Sequence, residues 1–149
     1  MTRSSASLPA KERSRGSVAT THGIRVEVQP RYLASHSVTD PAPGENPRFV
    51  FSYRIRISNL SDVGVWLRSR RWIIVDADGE RHEVVGDGVV GQQPRLNPGV
   101  DFEYESFCPL PTPWGTMEGF FSMEFQDGAE QGRTQEVRIE RFYLAAPAN

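Results

Sequence analysis

Cysteine is nearly absent from this 149-residue chain, and Cys108 stands alone. An internal disulfide framework is therefore excluded, and a reducing, cytoplasmic setting is expected. Lysine is equally scarce: Lys11 is the single one among 17 basic residues. Codon usage in a GC-rich genome explains such a bias as readily as an anion-binding role for the guanidinium fork. No apolar run approaches the roughly 20 residues that a membrane span requires, so no membrane association is expected. Neither sign of charge dominates, with 19 acids against those 17 bases. Dedicated nucleic-acid binding, which rests on strongly basic domains, is disfavoured.

Catalytic and metal-binding patterns are missing too. His22, His36 and His82 lie far apart, without H-E-x-x-H or C-x-x-C spacing, so no metal site is expected. Asp76-x-Asp78-Gly79 resembles the opening of a calcium loop but lacks the remaining ligand positions. No G-x-S-x-G or Walker lysine occurs, and Cys108 has no identifiable histidine partner. No cofactor is implied, and no enzyme is expected.

What is present is core material for one domain. Apolar residues make up 38% of the chain, including eight Phe, four Tyr and three Trp. Residues 1–22 carry a net charge of +3, are rich in Ser, Thr and Ala, and show no period. They read as a disordered tail, leaving 23–149 as the folded domain.

From Gly23 onward the hydrophobic period is two. Ile24, Val26 and Val28 alternate with polar residues. Over Arg48–Asn59, Phe49, Phe51, Tyr53, Ile55 and Ile57 fall on one face. A turn rich in Asn, Ser, Asp and Gly follows. Val65–Val75 changes phase between Leu67 and Trp72, which predicts a bulge near Ser69–Arg71. Asp76–Gly79 reads as a hairpin turn leading to a strand over Glu80–Val85. Further strands are expected over Asp101–Phe107, Thr116–Phe125 and Glu136–Leu144, the last with its own change of phase. Pro109, Pro111 and Pro113 read as a stiff connection. With about seven strands and no helix of ten residues, the chain reads as an all-β antiparallel two-sheet β-sandwich of immunoglobulin or fibronectin type III style. Trp72 is the candidate buried inter-sheet aromatic.

Two features could carry binding. Gly86-Asp87-Gly88-Val89-Val90-Gly91 matches G-x-G-x-x-G and follows a strand, but Gln92-Gln93-Pro94 comes next and no helix begins. It reads either as a structural loop or as a nest of backbone N–H groups for an anion. Arg54, Arg56, Arg68, Arg70, Arg71 and Arg81 fall on neighbouring strands. They form either a basic patch or a solvated face paired with Glu80, Glu83 or Glu103.

Three longer runs stand out: Arg70-Arg71-Trp72-Ile73-Ile74-Val75-Asp76-Ala77-Asp78-Gly79, then Val84-Val85-Gly86-Asp87-Gly88-Val89-Val90-Gly91-Gln92-Gln93-Pro94, then Leu96-Asn97-Pro98-Gly99. Together they resemble the ApaG family. Tyr104-Glu105-Ser106, Leu110 to Gly119 and Phe142-Tyr143-Leu144 are similar to that family's other signatures. The resemblance covers about residues 23–145. Two positions depart from it: Arg71 stands where the family usually has His, and Phe107 where it usually has Gly. The resemblance implies a fibronectin-type-III-like sandwich and a small bacterial cytoplasmic protein without established enzymatic activity. Relatives occur beside diadenosine tetraphosphate hydrolase genes and are linked to cobalt resistance and magnesium efflux. Related domains in eukaryotic F-box and polymerase-interacting proteins imply protein binding.

Together these features predict a non-catalytic binding module. An exposed sheet edge or the Gly86–Gly91 loop would engage a protein partner, and strand addition at the edge would also permit a homodimer. Alternatively, Gly86, Gly88, Gly91 and Gln92, with charge from Arg70 or Arg95, would sense a nucleotide polyphosphate.

Overall fold

The computed structural model describes residues 14–147. Nine strands run in order: β1 (Ser17–Thr21), β2 (Ile24–Tyr32), β3 (Phe49–Asn59), β4 (Val65–Asp76), β5 (Arg81–Asp87), β6 (Arg95–Leu96), β7 (Asp101–Leu110), β8 (Trp114–Phe125) and β9 (Thr134–Ala145). A 3-10 turn, Ala34–His36, follows β2. One sheet has the order β1-β2-β3-β7 and the other β5-β4-β8-β9, with β6 paired to the start of β4. All these pairings are antiparallel. The expected antiparallel β-sandwich is what forms, with nine strands among the described residues rather than about seven.

The two uncounted strands were hidden for physical reasons. Ser17–Thr21, placed in the tail by composition, pairs with Ile24–Val28 as edge strand β1. Its side chains are half-exposed or exposed throughout, so no apolar alternation marks it; only the β-branched Val18, Thr20 and Thr21 favour it. Residues 1–13 of the assigned tail lie outside the described residues. Strand β6 is two residues long, too short for any alternation to mark it. Pro109 also lies within a strand, opposite Val50. β7 is an edge strand, where a missing N–H costs no ladder bond.

The core sits between the sheets. Ile24, Val26, Val28, Phe51, Tyr53, Ile55 and Ile57 of one sheet cluster with Trp72, Met117, Phe121, Met123, Val137, Ile139, Phe142 and Leu144 of the other, all buried. Trp72 is the inter-sheet aromatic. Its ring meets Tyr53 at 5.3 Å and Phe142 at 5.8 Å, both edge-on, the geometry ring quadrupoles favour.

The change of phase in β4 is a bulge between Leu67 and Ser69, beside the predicted position. It turns Val65 and Leu67 inward on one parity and Trp72 inward on the other. The second change of phase, in β9, coincides with a register shift opposite Met117–Gly119. This bulge lets Val137, Ile139, Phe142 and Leu144 all point into the core.

Close approach of β8 to β4 depends on Gly119. A Cβ built there would run into the Arg71 carbonyl oxygen and come within 3.2 Å of the Trp72 Cα. Gly119→Ala is expected to lower stability by about 2 kcal/mol through this backbone clash, measured by chemical denaturation. Unchanged stability would mean that the two strands separate without cost.

Candidate functional site

Strand β5 runs into the Gly86–Gly91 loop, which folds back over β4. The Gly88 N–H donates to the Arg68 carbonyl at 2.9 Å. Val89 and Gln92 exchange two backbone bonds of 2.8 Å, closing a tight turn around Val90 and Gly91. Both central residues have positive φ, 41° and 80°, as a primed hairpin turn requires. Val89 is buried, pinning the loop to the core, while Val90 is exposed. Three N–H groups of the predicted cradle are thus occupied by protein carbonyls.

The other assigned residues fall into two places. Arg70 lies inside the bend: its Nη1 donates to the carbonyls of Asp87 at 3.1 Å and Gly88 at 2.9 Å. Its guanidinium also packs against Gly86, where a Cβ would come within 2.8 Å of Nη1. Arg95 instead stacks over the Trp66 indole at 3.9 Å, and Arg68 covers the same ring at 3.8 Å. The indole N–H is anchored on the Gln93 carbonyl at 3.0 Å, and the Gln93 side-chain amide donates to the Arg68 carbonyl at 2.8 Å. The structure therefore joins Arg95 and Gln93 to a platform containing Trp66, a residue that belongs to no recognised motif, while Gln92 stays in the loop, bonded to Val89. Its one signal in the sequence is parity, since Trp66 alternates with the inward Val65 and Leu67.

The glycines have separate roles. Gly88 has φ +63°, and a Cβ there would overlap the Gln92 carbonyl oxygen; Gly91 has φ +80° with open space around it. Gly88→Val should destabilise the domain by about 2 kcal/mol, and Gly91→Ala by about 1 kcal/mol from backbone strain alone. Equal effects from the two, measured by urea unfolding, would refute the assigned contact at Gly88.

Most of the predicted basic patch is paired. Arg56 reaches Asp101 at 2.9 Å and Glu103 at 3.5 Å, and Arg68 reaches Glu124 at 3.2 Å. Arg71 and Arg81 hold the two oxygens of Glu83 at 2.7 and 3.0 Å. Hydrogen bonding from Arg81, reinforced by Arg71, keeps the Glu83 carboxyl below its ordinary range. Arg54 stands opposite Glu105 in the β3–β7 register. The expected single patch does not form, because β3 and β4 lie in different sheets: Arg54 and Arg56 belong to one, and Arg68, Arg70, Arg71 and Arg81 to the other. Each sheet instead carries a solvated outer surface laced with ion pairs.

Between the sheets lie Tyr53, Tyr104 and Cys108. Burial pushes the Cys108 thiol up to about 12 and raises both phenols. All three therefore stay neutral in the native state where the unfolded chain ionises, the thiol from its ordinary 9.0 and the phenols from 10.0. The stability tied to these three neutral groups is expected to be fully present below pH 9 and to fall above it, by up to about 1.4 kcal/mol per pH unit for each group. Cys108→Ala should delay the onset toward pH 10 in thermal unfolding. An onset that stays at pH 9 in that variant would contradict the assignment to the thiol.

Among the described residues, no group of three or more His, Cys, Asp or Glu side chains could hold a metal ion. No helix among them is long and apolar enough to cross a membrane.

A two-sheet sandwich with a self-bonded glycine loop beside a stacked Arg-Trp-Arg platform defines a compact β-domain class. The family model described as the ApaG domain matches residues 40–125. Protein ApaG of Anaeromyxobacter dehalogenans (strain 2CP-1 / ATCC BAA-258) is 54% identical over 133 residues, covering 89% of this chain and 98% of that protein. Protein ApaG of Sinorhizobium fredii is 48% identical over 129 residues, covering 87% and 92%. The crystal structure of the putative ApaA protein from Bordetella pertussis superposes with a TM-score of 0.73 at 40% identity, covering 88% of this chain and 99% of that one. The chain belongs to the ApaG family.

Proposed function

We propose that this ApaG-family domain is a non-catalytic, cytoplasmic protein-binding module. Its contact surface is the platform of Trp66, Arg68 and Arg95 with the loop tip at Val90–Gln93. One observation carries the reading: an indole held between two guanidiniums and locked by its N–H to Gln93. Trp and Arg dominate the energetics of protein interfaces, and rigid anchors lose little entropy on binding. Effects on cobalt or magnesium homeostasis would then pass through the bound protein.

The polyphosphate reading of the same loop is weaker, because Gly88, Val89 and Gln92 already spend their N–H groups and Arg70 is held by two carbonyls. Two measurements separate these readings. Under the proposal, thermal unfolding is unmoved by mono- and dinucleotide polyphosphates, with or without magnesium. Affinity capture then retains a partner with the native chain and loses it with Trp66→Ala or Arg95→Glu. A nucleotide present at a hundred times its dissociation constant would add about 2.7 kcal/mol. A matching rise in midpoint, abolished by Arg95→Glu, would overturn the protein-binding reading in favour of the sensor.

A further inference from the structure

Strand β5 closes one sheet, and among the described residues it pairs only with β4. Six of its seven residues are exposed, including Val84 and Val85 at 40% and 63%. Exposure on both faces and along one edge is unusual for a strand carrying two adjacent valines. An open edge of this kind is a template for strand addition.

The ladder fixes which backbone groups face outward. Asp76 N–H donates to the Glu80 carbonyl, and Gly88 N–H to the Arg68 carbonyl. Antiparallel pairs alternate between bonded and non-bonded, so residues 80, 82, 84, 86 and 88 direct their backbone groups to β4. Arg81, Glu83, Val85 and Asp87 present theirs to the open edge. Asp87 contributes a carbonyl that already accepts from Arg70, but a carbonyl oxygen has a second lone pair.

A second copy approaching antiparallel can meet this edge only in registers that oppose members of that set. Placing Glu83 opposite the partner's Glu83 opposes like charges, as does placing Glu83 opposite the partner's Asp87. One register uses all seven residues and avoids both. It sets Arg81 against the partner's Asp87, Glu83 against the partner's Val85, His82 against the partner's Gly86, and Val84 against the partner's Val84. The dimer thus gains an opposite-sign pair at each end of the paired strands and an apolar contact at their centre. The edge is self-complementary under a two-fold axis, as an isologous interface requires.

We infer that two copies of this chain pair through their β5 edges in this register, Val84 on the two-fold axis and Arg81 across from the partner's Asp87. The interface uses neither Trp66 nor the loop tip, so it stands independently of the protein-binding reading. A seven-residue edge buries less than the roughly 1,200 Å² of a standard stable complex, so the dimer is weak and reversible. It joins two sheets into one continuous sheet.

The test is sedimentation equilibrium of the full chain up to about 1 mM, with circular dichroism to confirm folding. The native chain should dimerise with rising concentration. Arg81→Asp and Asp87→Arg, both at exposed positions, should each weaken self-association by about tenfold or more, since each replaces two opposite-sign pairs with like-sign pairs. Mixed in equal amounts, the two variants should dimerise again. At one end of the mixed dimer the introduced aspartate meets the introduced arginine, and at the other the native Arg81–Asp87 pair is kept. A native chain that stays monomeric throughout overturns the inference. So does a single variant that associates like the native chain, or a mixture that remains monomeric.

Discussion

Trp72→Ala is expected to lower the stability of this domain by about 4 kcal/mol, in the middle of the range for losing one buried aromatic. The ring ties β4 to β3 and β9, edge-on to Tyr53 and Phe142. Tyr53 and Phe142 also touch each other at 5.8 Å. Removing the indole leaves a cavity bounded by two large rings attached to different sheets, and neither can fill it without tearing its own ladder. A thermal midpoint roughly 10–15 °C lower should accompany the loss. Trp72→Phe, which keeps an aromatic edge, should recover more than half of it. A Trp72→Ala chain within about 1 kcal/mol of native stability would mean the sandwich collapses around the hole, contrary to the rigidity of close-packed interiors.

The second large effect comes from a substitution that changes no shape. Asn59 is fully buried at the end of β3 and satisfies four partners at once. Its amide nitrogen donates to the carbonyls of Val63 at 2.8 Å and Leu96 at 2.9 Å, while its oxygen accepts from the Ser61 N–H and hydroxyl. Its own backbone bonds Val100 and Gly99. Asn59→Asp keeps the size but removes both donors, leaving a carboxylate against two carbonyl oxygens away from water. The cost is expected to be about 4 kcal/mol at neutral pH. It should shrink in mild acid, where a protonated carboxyl can donate to one carbonyl again. Urea denaturation at pH 7 and pH 4 measures both. A loss that is the same at the two values would locate the damage elsewhere.

Much of this fold could be read in the chain because burial writes itself as alternation. The inward residues of β3 announced a core face, and both changes of phase, in β4 and β9, marked real bulges. What stayed hidden was polar. Ser17–Thr21 carries no apolar stripe because its faces are open to solvent. Asn59 stands where a strand meets a turn, and nothing local distinguishes an ordinary asparagine there from one that ties β3 to the β6 strand 37 positions away. The candidate site was half legible. The glycines were visible as a pattern, but G-x-G-x-x-G does not reveal whether backbone N–H groups point at a ligand or at the protein. Here three point at the protein. Trp66 was legible only as an outward parity; its stacking depends on Arg95, which β6 delivers from outside the hairpin.

The first strand and the last are also joined. The Arg15 guanidinium donates to the Ala145 carbonyl, the Ser17 hydroxyl to the Glu140 carbonyl, and the Arg138 N–H to the Thr21 hydroxyl, across separations of 117 to 130 residues. A chain emerging from the ribosome makes β1 early and β9 late. The seam between them cannot form until β9 has left the exit tunnel, so the sandwich closes after most of the domain has been synthesised. Until that moment the inner faces of both sheets depend on chaperones or on speed to stay out of aggregates.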